Sequence, residues 1–167
     1  MRVIGIALAL ILVATAAFAQ QSVEEKSVPA AKTFASAADI QALIAKAKSE
    51  RKEGQPNVPE RILQLTPYNV NLDYRASVGP ATVHEQEAEL FYVLDGTATM
   101  VIGGKLVDEA RTNPTTLKGT AIEGGVSRAI AKGDVIIVPE NTPHWFSTIH
   151  GTLVLMTLHL PPVTATH

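Results

Sequence analysis

Five polar side chains lie close together within the sequence ATVHEQEAELFYVLDG, residues 81–96. They are His84, Glu85, Gln86, Glu87 and Glu89. Imidazole, carboxylate and amide groups can bind a divalent metal ion through nitrogen and oxygen, and the chain has no cysteine to offer sulfur instead. Short polar clusters between apolar runs are usually solvated turns. The cluster therefore indicates either a metal site or an exposed turn.

The first 19 residues are typical of a secretory signal peptide. Arg2 precedes a long apolar run, and Ala17 and Ala19 bracket Phe18 as in an A-x-A cleavage site. An uncleaved anchor is the alternative, because the run is near the lower length limit of a membrane-spanning helix. We expect cleavage before Gln20, so that the mature chain is periplasmic or secreted and is not bound to a membrane.

The mature chain has the size and charge of one soluble domain. Removing 19 of the 167 residues leaves 148, which is enough for a sizeable core. The full chain has 14 basic and 16 acidic residues, and loss of Arg2 leaves 13 basic residues and a net charge of −3. This charge does not favour a nucleic acid partner.

One helix is predicted before the strands begin. Residues 20–35 show no periodicity and are predicted to be a flexible tether. Residues 36–53 are predicted to be an amphipathic helix, because Ser36 and Asp39 have capping-box spacing. Ile40, Leu43 and Ile44 would form its narrow apolar stripe. We expect the helix to cover one edge of the domain.

The rest of the chain is predicted to form short strands. Residues 68–75 alternate apolar and polar side chains, as a half-buried strand does. Asp95 and Gly96 are suited to a tight hairpin between two strands, and residues 108–125 are predicted to be a long loop. Further turns are expected at residues 103–104, 132–133, 140–141 and 151. Short strands at regular spacing are typical of a β-sandwich or small barrel.

Two motifs within this region resemble those of the cupins. In GDVIIVPENTPHWF the second cupin motif is matched by Gly133, Pro139, Asn141 and His144, where Asn141 replaces a glycine. In ELFYVLDG, which begins at Glu89, the spacing is that of the first motif. The resemblance covers about residues 62–160 and leaves residues 161–167 as a tail. It implies an all-β fold, the cupin double-stranded β-helix or jelly-roll barrel, preceded here by one N-terminal amphipathic helix.

The resemblance also implies one divalent metal ion, which could be Fe, Mn, Zn, Ni or Cu, held by His84, Glu89 and His144. Strand alternation supports this set, because Glu89 shares a face with Phe91 and His144 shares a face with Phe146. A carboxylate that points into a barrel needs a positive partner.

The family carries two histidines in its first motif, and this chain has one. If His84 is the first of them, Gln86 replaces the second. If His84 is the second, Thr82 replaces the first and the spacing to Glu89 fits the family. Gln86 is then either a ligand, a water-mediated neighbour or a turn residue, and the sequence leaves these alternatives open.

The substrate pocket is expected beside the metal ion. Phe91, Phe146 and Trp145 are predicted to line an apolar funnel. Arg75 could recognise an anionic substrate, or it could pair with a surface acid. His159, in the last strand, could lie behind the ligands or be an ordinary strand histidine. Glu85 and Glu87 are predicted to be exposed turn acids.

The predicted function is therefore that of an exported mononuclear metal-binding cupin. As an enzyme it would act on a small, oxygen-rich, anionic or neutral compound by dioxygenase, lyase or isomerase chemistry. The alternative is a non-catalytic cupin module that binds a small ligand. The resemblance also implies a homodimer.

Overall fold

The computed structural model describes residues 30–162, in which the chain forms one α-helix and eleven β-strands. The helix, α1, spans Ala37–Glu50. The strands are β1 Asn57–Leu65, β2 Tyr68–Arg75, β3 Ala81–His84, β4 Ala88–Ile102, β5 Lys105–Val107, β6 Ala110–Asn113, β7 Thr116–Gly119, β8 Ala121–Glu123, β9 Val126–Ala131, β10 Val135–Val138 and β11 His144–Leu160. The predicted signal peptide and most of the predicted tether and tail lie outside the described residues. No helix among those described is both long and apolar enough to span a membrane.

The capping box predicted for α1 is present. The Ser36 hydroxyl accepts a hydrogen bond from the Asp39 backbone N–H at 3.2 Å, and the Asp39 carboxylate accepts one from the Ser36 N–H at 2.8 Å. The helix ends at Glu50, three residues earlier than predicted, because Arg51 is already extended. Before the helix, Lys32 forms a β-bridge with Gln64, so the last part of the predicted tether lies against β1.

The strands form an antiparallel barrel built around two long strands. Within the described chain, one sheet has nine strands, and β5 and β8 form a separate pair. Strands β4 and β11 pair along most of their lengths, from His144 opposite Ile102 to Leu160 opposite Ala88. The other strands of the larger sheet continue outward from this pair. These observations confirm the predicted all-β jelly roll with one N-terminal helix.

Two apolar clusters hold the fold together. The first fills the barrel and includes Phe91, Met100, Phe146 and Leu155. The second lies outside the barrel, where Ala47 and its neighbours on α1 pack against Leu72, Tyr74 and Val154. The apolar face of β2 therefore packs against the helix, and its polar face points into the barrel. Strand β2 thereby gives the barrel a polar wall.

Three predictions about the strands were wrong. Asp95 and Gly96 do not form a hairpin, because β4 continues through them to Ile102. Gly96 has φ of +90° and lies against the backbone of Thr152, where a side chain would collide, so it allows a bend inside one strand. Residues 108–125 are not a loop but contain β6, β7 and β8. Gly151 likewise lies inside β11 rather than between two strands.

Candidate metal centre

Three histidine side chains converge on the carboxylate of Glu89. Glu89 is only 6% exposed. Its Oε2 atom lies 3.3 Å from His84 Nε2 and 3.2 Å from His144 Nε2, and its Oε1 atom lies 3.5 Å from His159 Nε2. The structure thus places three imidazole nitrogens around one buried carboxylate.

Closure of the barrel brings these four side chains together. Glu89 and His159 are direct partners at one end of the β4–β11 ladder, where paired side chains point to the same face of the sheet. His144 lies at the other end of that ladder and pairs with Thr82 on β3, the strand that ends at His84. Because both long strands curve around the barrel, the two ends of the ladder meet at the same mouth.

Two of the imidazoles have contacts that orient their rings. His144 Nδ1 lies 3.2 Å from the Thr142 carbonyl oxygen. A carbonyl can only accept, so Nδ1 donates this hydrogen bond, and the ring is held with Nε2 facing Glu89. His159 Nδ1 lies 3.2 Å from Glu87 Oε2, although this buried nitrogen makes no aligned hydrogen bond. Such outer partners orient metal-binding histidines in proteins.

The surroundings of Glu89 keep it ionised. Burial by itself would raise its pKa, but hydrogen bonds from His144 and His84, together with the charges of His144 and His159, lower the pKa well below its usual range. The net effect is a buried carboxylate available as an anionic ligand. An anion in this position requires compensating positive charge.

The arrangement fits a metal ion. The ligand atoms of His84, Glu89 and His159 all lie within 4.8 Å of one another, and these three residues could together bind a metal. Adjacent ligands bound at about 2.0–2.2 Å are themselves roughly 3.0–3.5 Å apart. The separations between Glu89 and the three imidazoles, 3.2–3.5 Å, fall in that range. His144 contacts Glu89 at 3.2 Å, but it is not part of the group whose ligand atoms all lie within 4.8 Å of one another.

Gln86 is not brought to this cluster. It is exposed in the bend between β3 and β4 and does not line either cavity beside the cluster. Thr82, by contrast, shares the inward face of β3 with His84 and lines the cavity with it. The structure therefore favours the register in which Thr82 stands where the family usually carries its first histidine.

The cavity at the cluster has a volume of about 320 Å³ and a polar lining. The lining residues are Asn71, Asp73, Arg75, Thr82, His84, Glu89, Thr112, Asn113, Thr116, Lys118, His144, Thr157 and His159. The predicted apolar funnel is therefore wrong. Phe91 and Phe146 do point inward, but they lie deeper, with ring centroids 5.5 Å apart in the core. Trp145 alternates away and donates a hydrogen bond from Nε1 to the Gly79 carbonyl at 2.9 Å.

Arg75 does line the cavity, and it also pairs with an acid. Its Nη2 donates to Asp73 Oδ2 at 2.8 Å, and both side chains are largely buried. The guanidinium carbon lies 4.9 Å from the centroid of the Phe146 ring, a cation–π distance. The partner is thus an inward acid of the same strand, not a surface one.

Several site residues escaped the sequence analysis. His159 was considered only as a residue behind the ligands or an ordinary strand histidine, although its place opposite Glu89 follows once β4 and β11 are paired. Thr112, Thr116 and Lys118 lay in the supposed loop. Glu85 and Glu87, predicted to be exposed turn acids, lie between β3 and β4 but are only partly exposed, and they contact Arg111 at 2.6 Å and His159 at 3.2 Å respectively. Alternation within β7 could have identified Thr116 and Lys118 as sharing one face.

Comparison with known proteins identifies the fold. A family model described as cupin matches residues 53–158. Among solved structures, the DMSP lyase DddQ from Ruegeria pomeroyi DSS-3 matches with a TM-score of 0.51 and 17% identity over 84% of this chain and 71% of that one. KdgF from Halomonas sp. matches with a TM-score of 0.48 and 14% identity over 67% of this chain and 86% of that one.

A third structure, FeII HppE, matches with a TM-score of 0.49 and 14% identity over 66% of this chain and 54% of that one, so this chain spans about half of its length. No curated protein matches the chain in sequence. At 17% identity, the match to DddQ supports the fold alone.

Proposed function

Because the chain belongs to the cupin family, we propose that it is an exported enzyme with a mononuclear metal centre held by His84, Glu89, His144 and His159. Its substrate is a small, oxygen-rich compound that enters the polar cavity. The reaction belongs to the dioxygenase, lyase or isomerase class.

The observation that carries this proposal is the convergence of three imidazole nitrogens on one buried carboxylate. His159 supplies from β11 the third imidazole that Thr82 does not supply from β3. Three nitrogens and one oxygen suit Fe, Mn, Zn, Ni or Cu. The cluster costs free energy in the metal-free chain, because a buried anion and several imidazoles must be kept desolvated, and a bound cation would offset that cost.

Such an ion, when bound, acts as a Lewis acid toward substrate oxygens. The chain's own residues provide the rest. The Thr142 carbonyl accepts a hydrogen bond from His144 Nδ1, and Glu87 lies 3.2 Å from His159 Nδ1, so both Nε2 atoms face the cluster. Thr82 and Thr157 offer hydroxyl groups beside the cluster, where they can orient a polar substrate.

The cavity limits the substrate. Its volume of about 320 Å³ lies at the small end of the range of ligand sites, roughly 300–1,000 Å³. Each of its thirteen lining residues carries a polar or charged side chain, so an apolar substrate would leave many polar groups without partners.

A binding module without catalysis is the second candidate. One observation favours it. The lining contains two acids, Glu89 and Asp73, and Asp73 is already paired with Arg75. Among the described lining residues, no carboxylate is therefore left to act as a general base. Metal-dependent turnover of any bound small molecule, measured by product analysis, distinguishes the enzyme from the module.

The proposal is tested by metal analysis of the purified chain. Protein dialysed against Fe, Mn, Ni, Zn or Cu ions should retain about one ion per chain, and the Glu89→Ala variant should retain none. Glu140→Ala provides the control, since Glu140 is an exposed acid that does not line the cavity. Failure of the parent protein to retain any of these metals would refute the metal centre and the enzyme together.

A further inference from the structure

We propose that the Arg75 side of the cavity is a subsite for the carboxylate group of a small hydroxylated acid. This inference rests on the proposed function, since the same molecule would present an oxygen to the metal. The recognising groups are Arg75 and Lys118, and Asp73 is a positioning residue that holds the guanidinium.

Arg75 is a buried cation with hydrogen-bonding capacity left over. A guanidinium has five N–H donors, and one of them bonds Asp73. The Nε atom is buried and makes no hydrogen bond. Because the Nε atom is itself buried, a planar oxyanion in the cavity would bind the remaining N–H donors of the terminal guanidinium nitrogens. Asp73 and the Phe146 ring fix the plane of the guanidinium, so the edge is ready for such a partner.

Lys118 adds a second cation on the facing wall. It is paired in the sheet with Thr82, and both residues line the cavity, so their side chains share its inner face. Among the described residues, Lys118 is within 4.0 Å of no carboxylate, whereas Lys46 and Lys132 each have such a neighbour. Its ammonium is therefore available to a ligand.

The charges of the cavity select an anion once the metal is present. Arg75 and Lys118 contribute two positive charges, and Asp73 and Glu89 contribute two negative ones, so the fixed charges of the lining cancel when the imidazoles are neutral. A divalent ion raises the sum to +2. This excess of positive charge favours a negatively charged ligand over a neutral one of the same shape.

The neutral part of the lining selects hydroxyl groups. It consists of two amides and four hydroxyls, from Asn71, Thr82, Thr112, Asn113, Thr116 and Thr157. These groups both donate and accept hydrogen bonds, as the hydroxyls of a sugar acid do. A carboxylate with an alkyl chain would leave them without partners.

Titration calorimetry on the metal-loaded chain tests the inference with four probes. Gluconate carries a carboxylate and hydroxyls, sorbitol has the hydroxyls without the charge, hexanoate has the charge without the hydroxyls, and glucose 6-phosphate carries a phosphate. Gluconate should bind at least about tenfold more tightly than sorbitol or hexanoate. Equal binding of gluconate and sorbitol, tighter binding of the phosphate ester, or binding of none of the probes would overturn the inference.

The variants separate charge recognition from metal binding. Arg75→Gln should remove most of the preference for gluconate over sorbitol while sorbitol affinity and metal content stay unchanged. Lys118→Gln should reduce the preference less, because its ammonium is more exposed and better screened. Lys132→Gln is the matched control, since Lys132 is 72% exposed on a turn outside the cavity and should have no effect.

Two further measurements keep the outcomes distinct. Arg75→Gln leaves Asp73 buried without a partner, so the Asp73→Asn/Arg75→Gln double variant, which removes both charges, must show the same loss of preference. A chain that retains no metal refutes the proposed function. The subsite is then still tested in the metal-free chain, where Arg75→Gln should bind gluconate more weakly than the parent protein does. A chain that retains metal but shows no charge preference refutes the subsite alone.

Discussion

Replacing His159 by alanine tests whether this residue completes the metal centre. Its Nε2 atom lies 3.5 Å from Glu89 Oε1, so the variant removes one of four proposed ligands. Loss of an outer partner alone typically weakens metal binding about 10- to 100-fold, and loss of a ligand should cost at least the upper value, about 100-fold. Calorimetric titration of the metal into the apo-protein measures the change directly.

The same substitution should lower thermal stability only when metal is present. At a metal concentration of about 100 Kd, binding stabilises the native state by about 2.7 kcal/mol, and a 100-fold weaker site at the same concentration gives about 0.4 kcal/mol. The difference of about 2.3 kcal/mol corresponds to a fall in Tm of about 5–9 °C for a chain of this size.

The metal-free melting temperature should change less than this, because the polar contacts of His159 are long or unaligned, at 3.5 Å to Glu89 and 3.2 Å to Glu87. His150→Ala is the matched control, since His150 is an exposed histidine of the same strand. If His159→Ala binds metal as tightly as the parent protein and the His150→Ala control, His159 is not a ligand and the proposed set is wrong.

The remaining predictions concern the rest of the site and the N-terminus. Adding Thr82→His to the His159→Ala variant should restore metal affinity in calorimetry, since Thr82 lines the same cavity. If affinity is not restored, the side chain of residue 82 does not point toward the ion. Gln86→Ala should leave the affinity unchanged, and a loss in the same titration would contradict its exposed position. Metal affinity should fall as the pH is lowered, because several imidazoles must be neutral to bind metal, and more than one proton should be taken up per ion released. The lowered pKa of Glu89 keeps that carboxylate ionised. Calorimetric titration at several pH values measures this, and an affinity independent of pH would refute imidazole ligation. Protein from the periplasm should begin at Gln20 by intact mass, and a chain that retains Met1 in the membrane fraction would contradict export.

The general fold could be predicted from the sequence because its signals are local. Ser36 and Asp39 are three residues apart, and their capping box is formed as predicted. Asn141 replaces a motif glycine and has φ of +53°, the left-handed backbone that asparagine tolerates. Alternation along β4 also placed Glu89 and Phe91 on one buried face.

The errors came from interactions between distant segments. Asp95 and Gly96 have the local chemistry of a hairpin, but β11 pairs with β4 on both sides of them, and this long-range pairing keeps the strand continuous. The sequence predicted only that β2 is half buried. Its polar face lines the cavity because α1 covers the apolar face, and nothing in residues 68–75 alone shows which face a helix will cover.

The part of the site that depends on local motif spacing could be predicted from the sequence. His84, Glu89 and His144 lie in motifs whose spacing is visible in the sequence. His159 lies 70 positions after Glu89 in the numbering, and only the pairing register of β11 brings it to the carboxylate. The register of His84 was also open until the structure placed Thr82 in the cavity and Gln86 in the exposed bend.

Anomalous diffraction from a crystal of the metal-loaded chain tests the central claim most directly. We predict a single strong peak between Glu89 and the Nε2 atoms of His84, His144 and His159. No peak at this position, or a peak held by other residues while these four side chains remain paired only with one another, would contradict the proposed metal centre.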